Sequence, residues 1–292
     1  MKKYYKIIIN ADDLGMSVDV NAAIERAINE GCISSSTIMA NATAFDDAVR
    51  IAKSYPQITF GLHLNIDEFR PLTDTSIFEK YGMIDEKGSF KKEYLHNADV
   101  SYNDELLKAI YKEWKAQLSK VIDAGIIPSH LDSHEHTHGI FDLQPMLVRL
   151  MKEYGIKKVR RQPFSSMLDM VVAKLMHLNQ PNQSELQQQS ACIPTKKCRS
   201  FISRRFNQLG DARRHRQWIQ DIKSENFEIT DFFDGYQMFC SCYPRLYKHR
   251  SMETIELMTH PGHKGYVVET EMLMRKELQG VCQYELINYN QL

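Results

Sequence analysis

The feature that most constrains the fold is an alternation of strand and helix patterns in the first 65 residues. Residues 5–9 form a short β-branched apolar run that stops at Asn10-Ala11-Asp12-Asp13 and predicts a buried strand. A helix is predicted next, capped by Ser17 or Asp19 and ended by Gly31. The pattern then continues with a strand at 35–39, a helix at 44–55 and a strand at 57–65. This order predicts parallel strands that are joined by crossover helices.

The alternation resumes after a loop-rich passage at 67–99, which is interrupted by Pro71, Gly82 and Gly88 and is expected to form a lid or binding loop. The later predicted elements are a helix at 104–124, a strand at 127–133, a helix at 143–154, a strand at 158–161 and a strand that begins at Thr254. A chain of 292 residues is long enough for one α/β barrel, which typically needs about 250 residues. We therefore expect a mostly parallel α/β barrel.

The segment 165–247 departs from this pattern. It contains a glutamine-rich stretch at 180–189, and then eight lysines and arginines between 196 and 216 against a single acid, Asp211. Aromatic residues do not alternate with these charges as a nucleic-acid stacking surface would require. We predict that the chain is a single domain, 1–292, with a helical insertion at 165–247. A homodimer formed through this insertion is an expectation that light scattering would test.

Overall charge and cysteine usage narrow the class of partner and compartment. The chain has 37 basic and 37 acidic residues, so its net field gives no reason to expect nucleic acid or an anionic membrane as partner. Its six cysteines contain no CxxC pair, which favours a reduced environment. No stretch approaches the roughly 20 apolar residues of a membrane helix, and the N-terminus lacks a signal-peptide pattern. We expect a cytoplasmic protein.

Groups suited to metal binding or acid–base chemistry follow three separate predicted strands. Asp12 and Asp13 follow the first strand, His63 lies at the end of the third, and a histidine-rich run occupies 130–138. The carboxyl ends of parallel strands converge on one face of an α/β fold, and sites are built on that face. These side chains are therefore expected to meet in space.

The run 130–138 has the strongest pattern of the three. Successive side chains of a strand alternate between its faces, so residues two apart share a face for as long as the strand persists. The residues on the common face would be His130, Asp132, His134, His136 and His138. Four histidines and an aspartate on one face are hard to explain as core packing, so this run predicts a site. His63 alone would more often be a core histidine, and it gains significance from the neighbouring groups.

Adjacent carboxylates at a strand end repel each other, and a divalent cation is an economical counter-charge. Of Asp12 and Asp13, one can bind the ion while the other acts as a base, and the residues themselves do not decide which. Both could instead merely cap the following helix. One carboxylate and two histidines form a nitrogen and oxygen ligand set that suits zinc and can also hold magnesium, manganese or cobalt. Such an ion activates water and polarises a carbonyl, which favours hydrolysis.

Five motifs in this order resemble those of the YdjC-like carbohydrate deacetylases, a family that includes chitooligosaccharide deacetylases. The motifs are Asn10-Ala11-Asp12-Asp13-Leu14-Gly15, Gly61-Leu62-His63-Leu64, the run 129–138, Arg161-Gln162-Pro163 and Met258-Thr259-His260-Pro261-Gly262. The resemblance is densest in 5–163, returns near 250–265 and is poor in 165–247.

This resemblance implies a distorted (β/α) barrel of the glycoside hydrolase and deacetylase type, with a helical insertion. It also implies an enzyme that removes the acetyl group from small N-acetylated sugars or oligosaccharides, such as those of N-acetylglucosamine. The cofactor would be one divalent ion, magnesium or zinc, with manganese or cobalt as alternatives. The implied roles are metal binding by Asp13, His63 and His134, general base for Asp12, proton donor for His260, orientation of substrate or base by Arg161, and support of the ligands by His130, Asp132 and His136.

Three other functions are alternatives to this one. A metal-dependent hydrolase of another amide, an ester or a phosphodiester would use the same scaffold, because a fold does not determine its substrate. A non-catalytic sugar-binding protein is disfavoured because ligand, base and acid candidates are all present. A glycoside hydrolase using Asp12 and Asp13 is disfavoured because adjacent residues would struggle to flank a glycosidic bond at the roughly 5–9.5 Å that this chemistry needs.

Overall fold

A computed structural model describes residues 4–92, 100–162, 212–246 and 251–292. The end of the predicted lid, 93–99, and most of the predicted insertion, 163–211, lie outside the described residues. The strands are β1 (Tyr4–Leu14), β2 (Ser35–Ile38), β3 (Thr59–Leu64), β4 (Leu131–Ser133), β5 (Phe232–Gly235), β6 (Thr254–Thr259) and β7 (Gln283–Leu286). The helices are α1 (Val18–Asn29), α2 (Phe45–Ser54), α3 (Ser76–Lys80), α4 (Asp104–Asp123), α5 (Gln144–Tyr154), α6 (Ala212–Ser224), α7 (Tyr236–Leu246), α8 (Val267–Met274) and α9 (Leu278–Val281).

The seven strands form one parallel sheet in the order β4-β3-β2-β1-β6-β5, and β7 pairs with the start of β1. Isolated bridges carry the pairing beyond β4, from Leu131 to Val159 and from Lys158 to Glu228, a residue that precedes β5 by four positions. The curled sheet is thereby linked from one edge to the other. The chain has the predicted α/β architecture of a distorted (β/α) barrel, and the strand predicted at 158–161 is reduced to these bridges.

Burial on both faces explains the apolar character of β1. Ile7, Ile8 and Ile9 are all buried, as expected for a parallel strand that is covered on one side by helices and on the other by the barrel interior. In α1 the Ser17 side chain accepts a hydrogen bond from the backbone N–H of Val20 and caps the helix as predicted. The apolar stripe of α1 then packs against the sheet.

The end of the first predicted strand differs in the structure, whereas the strand predicted at 127–133 ends where it was predicted to end. β1 continues through the polar residues to Leu14, because Asn10 and Ala11 still pair with both β2 and β6. β4 ends at Ser133, and the chain turns into a 3₁₀ segment, His134–Gly139, in which Glu135 and His136 have positive φ. The strand does not persist beyond Ser133, so the shared strand face does not extend from Asp132 to His134, His136 and His138.

The last part of the predicted insertion range is regular in structure. Residues 212–246 form α6, β5 and α7, and β5 pairs in parallel with β6. The range 165–247 therefore includes one strand of the sheet, β5 at Phe232–Gly235. The insertion itself and the single-domain boundary stay predictions. Within the described residues, no helix combines the length and the apolar character that crossing a membrane requires.

Candidate active site

Three neighbouring strand ends bring together a carboxylate and two imidazoles. Asp13 lies near the end of β1, His63 lies in β3, and His134 follows β4 directly. The pairing of β1 with β2 shifts register between Ala11 and Leu14, and Asp13 takes a positive φ of 68° within this irregularity. This local turn of the backbone changes the direction of Asp13 relative to a regular strand.

One oxygen of Asp13 is shared by the two histidines. Its Oδ1 lies 3.2 Å from His63 Nε2 and 3.0 Å from His134 Nδ1. One ligand atom from each of the three buried residues lies within 4.8 Å of the other two, a spacing that a single metal ion could bridge. The structure thus brings together the three residues that were expected to bind metal.

Hydrogen bonds at the far side of each imidazole suit metal ligation. His63 Nδ1 lies 2.7 Å from Asp132 Oδ1, and the Thr37 hydroxyl donates to Asp132 Oδ2 at 3.0 Å. His134 Nε2 lies 3.1 Å from Glu68 Oε2. A carboxylate that accepts the N–H of one ring nitrogen directs the lone pair of the other nitrogen toward a metal. His63 Nε2 and His134 Nδ1, the nitrogens that face Asp13, are therefore the ones available to bind a metal. Two nitrogens and a carboxylate oxygen form a ligand set that fits a divalent ion.

The pKa values indicate an excess of buried negative charge. Burial lowers the pKa of His63, but Asp132 and Asp13 outweigh it and raise that pKa to about 10. Burial likewise opposes the charged form of His134, and Asp13 and Glu68 raise its pKa. Burial would raise the pKa of the Asp13 carboxyl, but its histidine partners hold that pKa well below the usual value. A divalent ion could replace the protons that these imidazoles hold.

Asp12 lies beside this cluster with a different partner. Arg160 donates to Asp12 Oδ2 from Nη1 at 2.6 Å and to Asp12 Oδ1 from Nη2 at 2.7 Å. Burial would raise the pKa of Asp12, but the charge and hydrogen bonds of Arg160 hold it well below the usual value. Asp12, His63 and Asp132 are also close enough to hold an ion. Arg160 already contacts both of these aspartates, so the Asp13 set fits a metal better.

Arg160, the neighbour of the predicted residue Arg161, makes the contact with Asp12. Arg161 donates from Nη1 to the backbone oxygen of Thr230 and does not contact the aspartates. Neighbouring residues of an extended chain point in opposite directions, so a shift of one residue exchanges the inward and outward side chains. Arg160 is fully buried and also donates from Nε to Glu256 Oε1 at 2.7 Å.

His260 follows β6 and lines the same cleft. Its backbone N–H donates to Glu269 Oε1 at 2.8 Å, and its Nδ1 lies 3.4 Å from the same oxygen. The ring also stacks on Tyr266, with centroids 4.2 Å apart. Burial lowers the pKa of His260, but Glu269, Asp12 and Asp13 outweigh it and raise that pKa. The raised pKa favours an imidazolium that can give up a proton.

These groups open into a cleft of about 320 Å³. The cleft is lined by Asp12, Asp13, Met16, His63, Glu68, Lys92, Ser133, His134, Glu135, His136, Met258, His260, His263 and Tyr266. Sequence reasoning missed Arg160, Glu68, His263 and Glu269. Two of them had a local signal in the sequence: Glu68 is a charged residue soon after His63, and His263 is a second histidine directly after the Pro-Gly turn.

The remaining predicted residues lie in different surroundings. Asp132 supports His63 directly, as described above. His130 stacks on Tyr289 with centroids 3.4 Å apart, and a Cβ added at Gly61 would come within 2.5 Å of its ring. Its close contacts are therefore with Tyr289 and strand β3, and none is with Asp13. His136 lines the cleft and packs edge-on against Phe233, with centroids 5.5 Å apart.

Comparisons with known proteins place this geometry in context. A family model described as YdjC-like protein matches residues 6–286. The chain is 33% identical over 153 residues to a carbohydrate deacetylase of Halalkalibacterium halodurans, covering 52% of this chain and 62% of that protein. It is 36% identical over 153 residues to a carbohydrate deacetylase of Vibrio cholerae serotype O1, covering 52% and 57% respectively. These alignments therefore span less than two thirds of each relative.

A solved structure matches over almost the full length. It is a protein of Enterococcus faecalis V583 described as a candidate cellobiose-phosphate cleavage protein, with a TM-score of 0.64, 20% identity and 99% coverage of both chains. At this identity the likeness concerns the fold alone. It agrees with the barrel described above.

Proposed function

The chain belongs to the YdjC-like protein family, and from this membership we propose that it is a metal-dependent carbohydrate deacetylase. The reaction would remove the acetyl group from N-acetylated sugars such as N-acetylglucosamine oligosaccharides. The observation that carries the proposal is the buried set of Asp13, His63 and His134, which opens into a cleft that Asp12 and His260 also line. Curated relatives with the name carbohydrate deacetylase support the substrate class.

Asp13, His63 and His134 would hold one divalent ion, with zinc or magnesium as the first candidates. When bound, such an ion supplies positive charge that polarises the acetamide carbonyl and lowers the pKa of a coordinated water. Asp132 and Glu68 would keep the two imidazoles in the orientation that binds the ion. The three ligands leave coordination positions open toward the cleft, as catalytic sites require.

Asp12 would accept the proton of the attacking water. Its carboxylate is ionised over the working pH range because of Arg160, and the paired hydrogen bonds of the guanidinium fix its orientation. A positioned base of this kind typically contributes about 10²–10⁴ in rate. Arg160 would therefore orient the base, whereas the family resemblance implies that Arg161 orients substrate or base.

His260 would give its proton to the departing sugar amine. An amide anion is a poor leaving group, so the nitrogen must be protonated as the C–N bond breaks. Glu269 holds the backbone N–H of His260 and faces its Nδ1, which leaves Nε2 as the proton-donating atom. The raised pKa of His260 keeps this proton available near neutral pH.

The test is acetate release from N-acetylglucosamine, its dimer and its trimer by metal-stripped protein to which zinc, magnesium, manganese or cobalt is restored. Asp13→Asn and His134→Ala should lose both metal binding and activity. Asp12→Asn should retain the metal and lose about 10²–10⁴ in kcat. Asp123→Asn, at an exposed position at the end of α4, is the matched control and should behave as wild type.

A second substrate distinguishes the role of Asp12 as the base from the role of His260 as the acid. Para-nitrophenyl acetate has a leaving group that needs no proton, so His260→Ala should lose much less activity on it than on the sugar amide. Asp12→Asn should lose activity on both. If the protein binds one ion per chain yet releases acetate from no N-acetylated sugar, the result would support the proposed metal site and contradict the proposed substrate. The function would then be hydrolysis of another amide, an ester or a phosphodiester.

A further inference from the structure

We propose that His263 is a positioning residue for the metal ligand Asp13, an inference that rests on the proposed metal site. His263 holds the second oxygen of the Asp13 carboxylate, so that the first oxygen alone faces the ion. Nothing in the sequence motifs assigned a role to this histidine. Its contribution is to metal affinity, and it does not itself bind the ion.

The two oxygens of Asp13 have separate partners. Oδ1 faces His63 Nε2 and His134 Nδ1, whereas Oδ2 lies 3.1 Å from His263 Nε2. Asp13 is only 1% exposed, so the orientation of its carboxylate depends on these protein contacts. The close contact of His263 Nε2 with Oδ2 limits rotation of the carboxylate and leaves Oδ1 for the ion.

The backbone around His263 is held against α1. Gly262 has a φ of 86°, and a Cβ at this position would come within 2.9 Å of both Val20 Cα and Ala23 Cβ. The turn that carries His263 therefore packs closely on α1 at a position that tolerates only glycine. The backbone oxygen of His263 accepts a hydrogen bond from the N–H of Tyr266 at 3.0 Å.

The ring of His263 is also confined by its neighbours. It packs edge-on against His260 and Tyr266, with centroids 5.8 Å and 6.1 Å away. These contacts keep Nε2 close to Asp13 Oδ2, although the side chain is 19% exposed and lines the cleft. His263 thus comes from the end of β6, a fourth strand, and supports a ligand set that is built from β1, β3 and β4.

The geometry distinguishes His263 from a fourth ligand. In the part of the chain that the structure describes, the groups close enough to share an ion are Asp13 with His63 and His134, and Asp12 with His63 and Asp132. His263 belongs to neither group, because it approaches Asp13 at the opposite oxygen. Partners of this kind typically change metal affinity by 10–100-fold.

The experiment is calorimetric titration of zinc into metal-stripped wild type, His263→Ala and His263→Gln. We expect His263→Ala to bind one zinc with an affinity about 10–100-fold weaker, because Asp13 loses its imidazole contact at Oδ2. His263→Gln should restore most of the affinity, since its side-chain amide can place an N–H near the same oxygen. Lys264→Ala, at an exposed position directly after His263, is the matched control and should bind zinc as wild type does.

The visible spectrum of the cobalt-loaded protein provides a readout that does not depend on activity. A positioning role predicts that the ligand-field bands of His263→Gln match those of wild type once cobalt is saturating, because glutamine keeps an N–H near Oδ2 and removes the imidazole. A change in these bands would make His263 a ligand and would overturn the proposal. Wild-type zinc affinity in His263→Ala would also overturn it. Failure of wild type itself to bind an ion would remove the proposed metal site, whereas tight zinc binding without acetate release would leave the role of His263 intact.

Discussion

Asp12 and Asp13 are adjacent in the sequence but lie in two different charged clusters. Asp12 belongs to the arginine cluster, in which Arg160 contacts Asp12, Asp132 and Glu256. Asp13 belongs to the histidine cluster, in which its contacts are His63, His134 and His263. Asp132 joins the two, with one oxygen on His63 and the other near Arg160.

The difference lies in how each cluster balances its buried carboxylates. The arginine cluster contains a cation that is covalently part of the chain and cannot lose its proton. The histidine cluster is balanced by imidazoles that can exchange protons for a metal ion. The first arrangement suits permanent orientation of a carboxylate, and the second suits an exchangeable ion. Substitutions in the two clusters should therefore affect different properties.

The largest effect should come from Arg160→Met. This change leaves three buried carboxylates without their shared cation and should lower the free energy of unfolding by about 3–5 kcal/mol. Urea denaturation of the metal-stripped protein would measure it. A loss below about 1 kcal/mol would show that the arginine cluster does not depend on its fixed cation.

Glu256→Gln should change the pH dependence of stability. Burial raises the pKa of Glu256 from its ordinary value of 4.5 to about 7 in the folded protein. The folded state therefore holds this proton more tightly than the unfolded chain, and wild type should lose up to about 3 kcal/mol as pH rises from about 4.5 to about 7. Glutamine is neutral throughout and can still hydrogen bond to Arg160 and Tyr289.

The measurement is urea denaturation of both metal-stripped proteins at several pH values from 4.5 to 8. The free energy of unfolding of Glu256→Gln should rise relative to wild type over this range and then become constant above pH 7. Parallel curves for the two proteins would contradict the raised pKa of Glu256.

Metal binding should stabilise the folded protein through the histidine cluster and not through the arginine cluster. Zinc at about 100 times its Kd should raise the free energy of unfolding of wild type by about 2.7 kcal/mol, and a chelator should reverse the gain. Asp13→Asn should show little gain, because it lacks the carboxylate that the two imidazoles share. Thermal unfolding with and without zinc measures both, and equal zinc stabilisation of the two proteins would place the ion elsewhere.

The smallest effect should come from Arg161→Met, the neighbour of the first substitution. Arg161 contacts a backbone oxygen of Thr230 and no carboxylate of either cluster. The expected loss in stability is below about 1 kcal/mol, with kcat close to wild type. A loss of activity comparable to that of Arg160→Met would restore the role that the sequence resemblance assigned to Arg161.

The arrangement of the barrel could be predicted because it depends on local patterns. The apolar run before Asp12, the helical stripe of α1 and the caps at its ends each involve neighbouring residues in the chain. Parallel order then follows from the alternation of strands and helices. The convergence of Asp13, His63 and His134 could also be anticipated, because parallel strands end at one face.

The fine geometry of the site could not be predicted, because it depends on backbone irregularities and distant partners. The positive φ of Asp13 and the 3₁₀ segment that follows β4 set the directions of Asp13 and His134, and strand alternation does not encode either. The choice of Arg160 over Arg161 depends on which side chain faces the interior.

The sequence by itself determined which chemical groups follow which strands, because these groups are next to apolar runs that form strands wherever they can be buried. Only the tertiary structure decided how charge is divided between Asp12 and Asp13. That division depends on Arg160, which is 148 residues away from Asp12, and on His263, which approaches Asp13 from the end of β6. The packing of distant segments determines these partners, and no local pattern of residues predicts them.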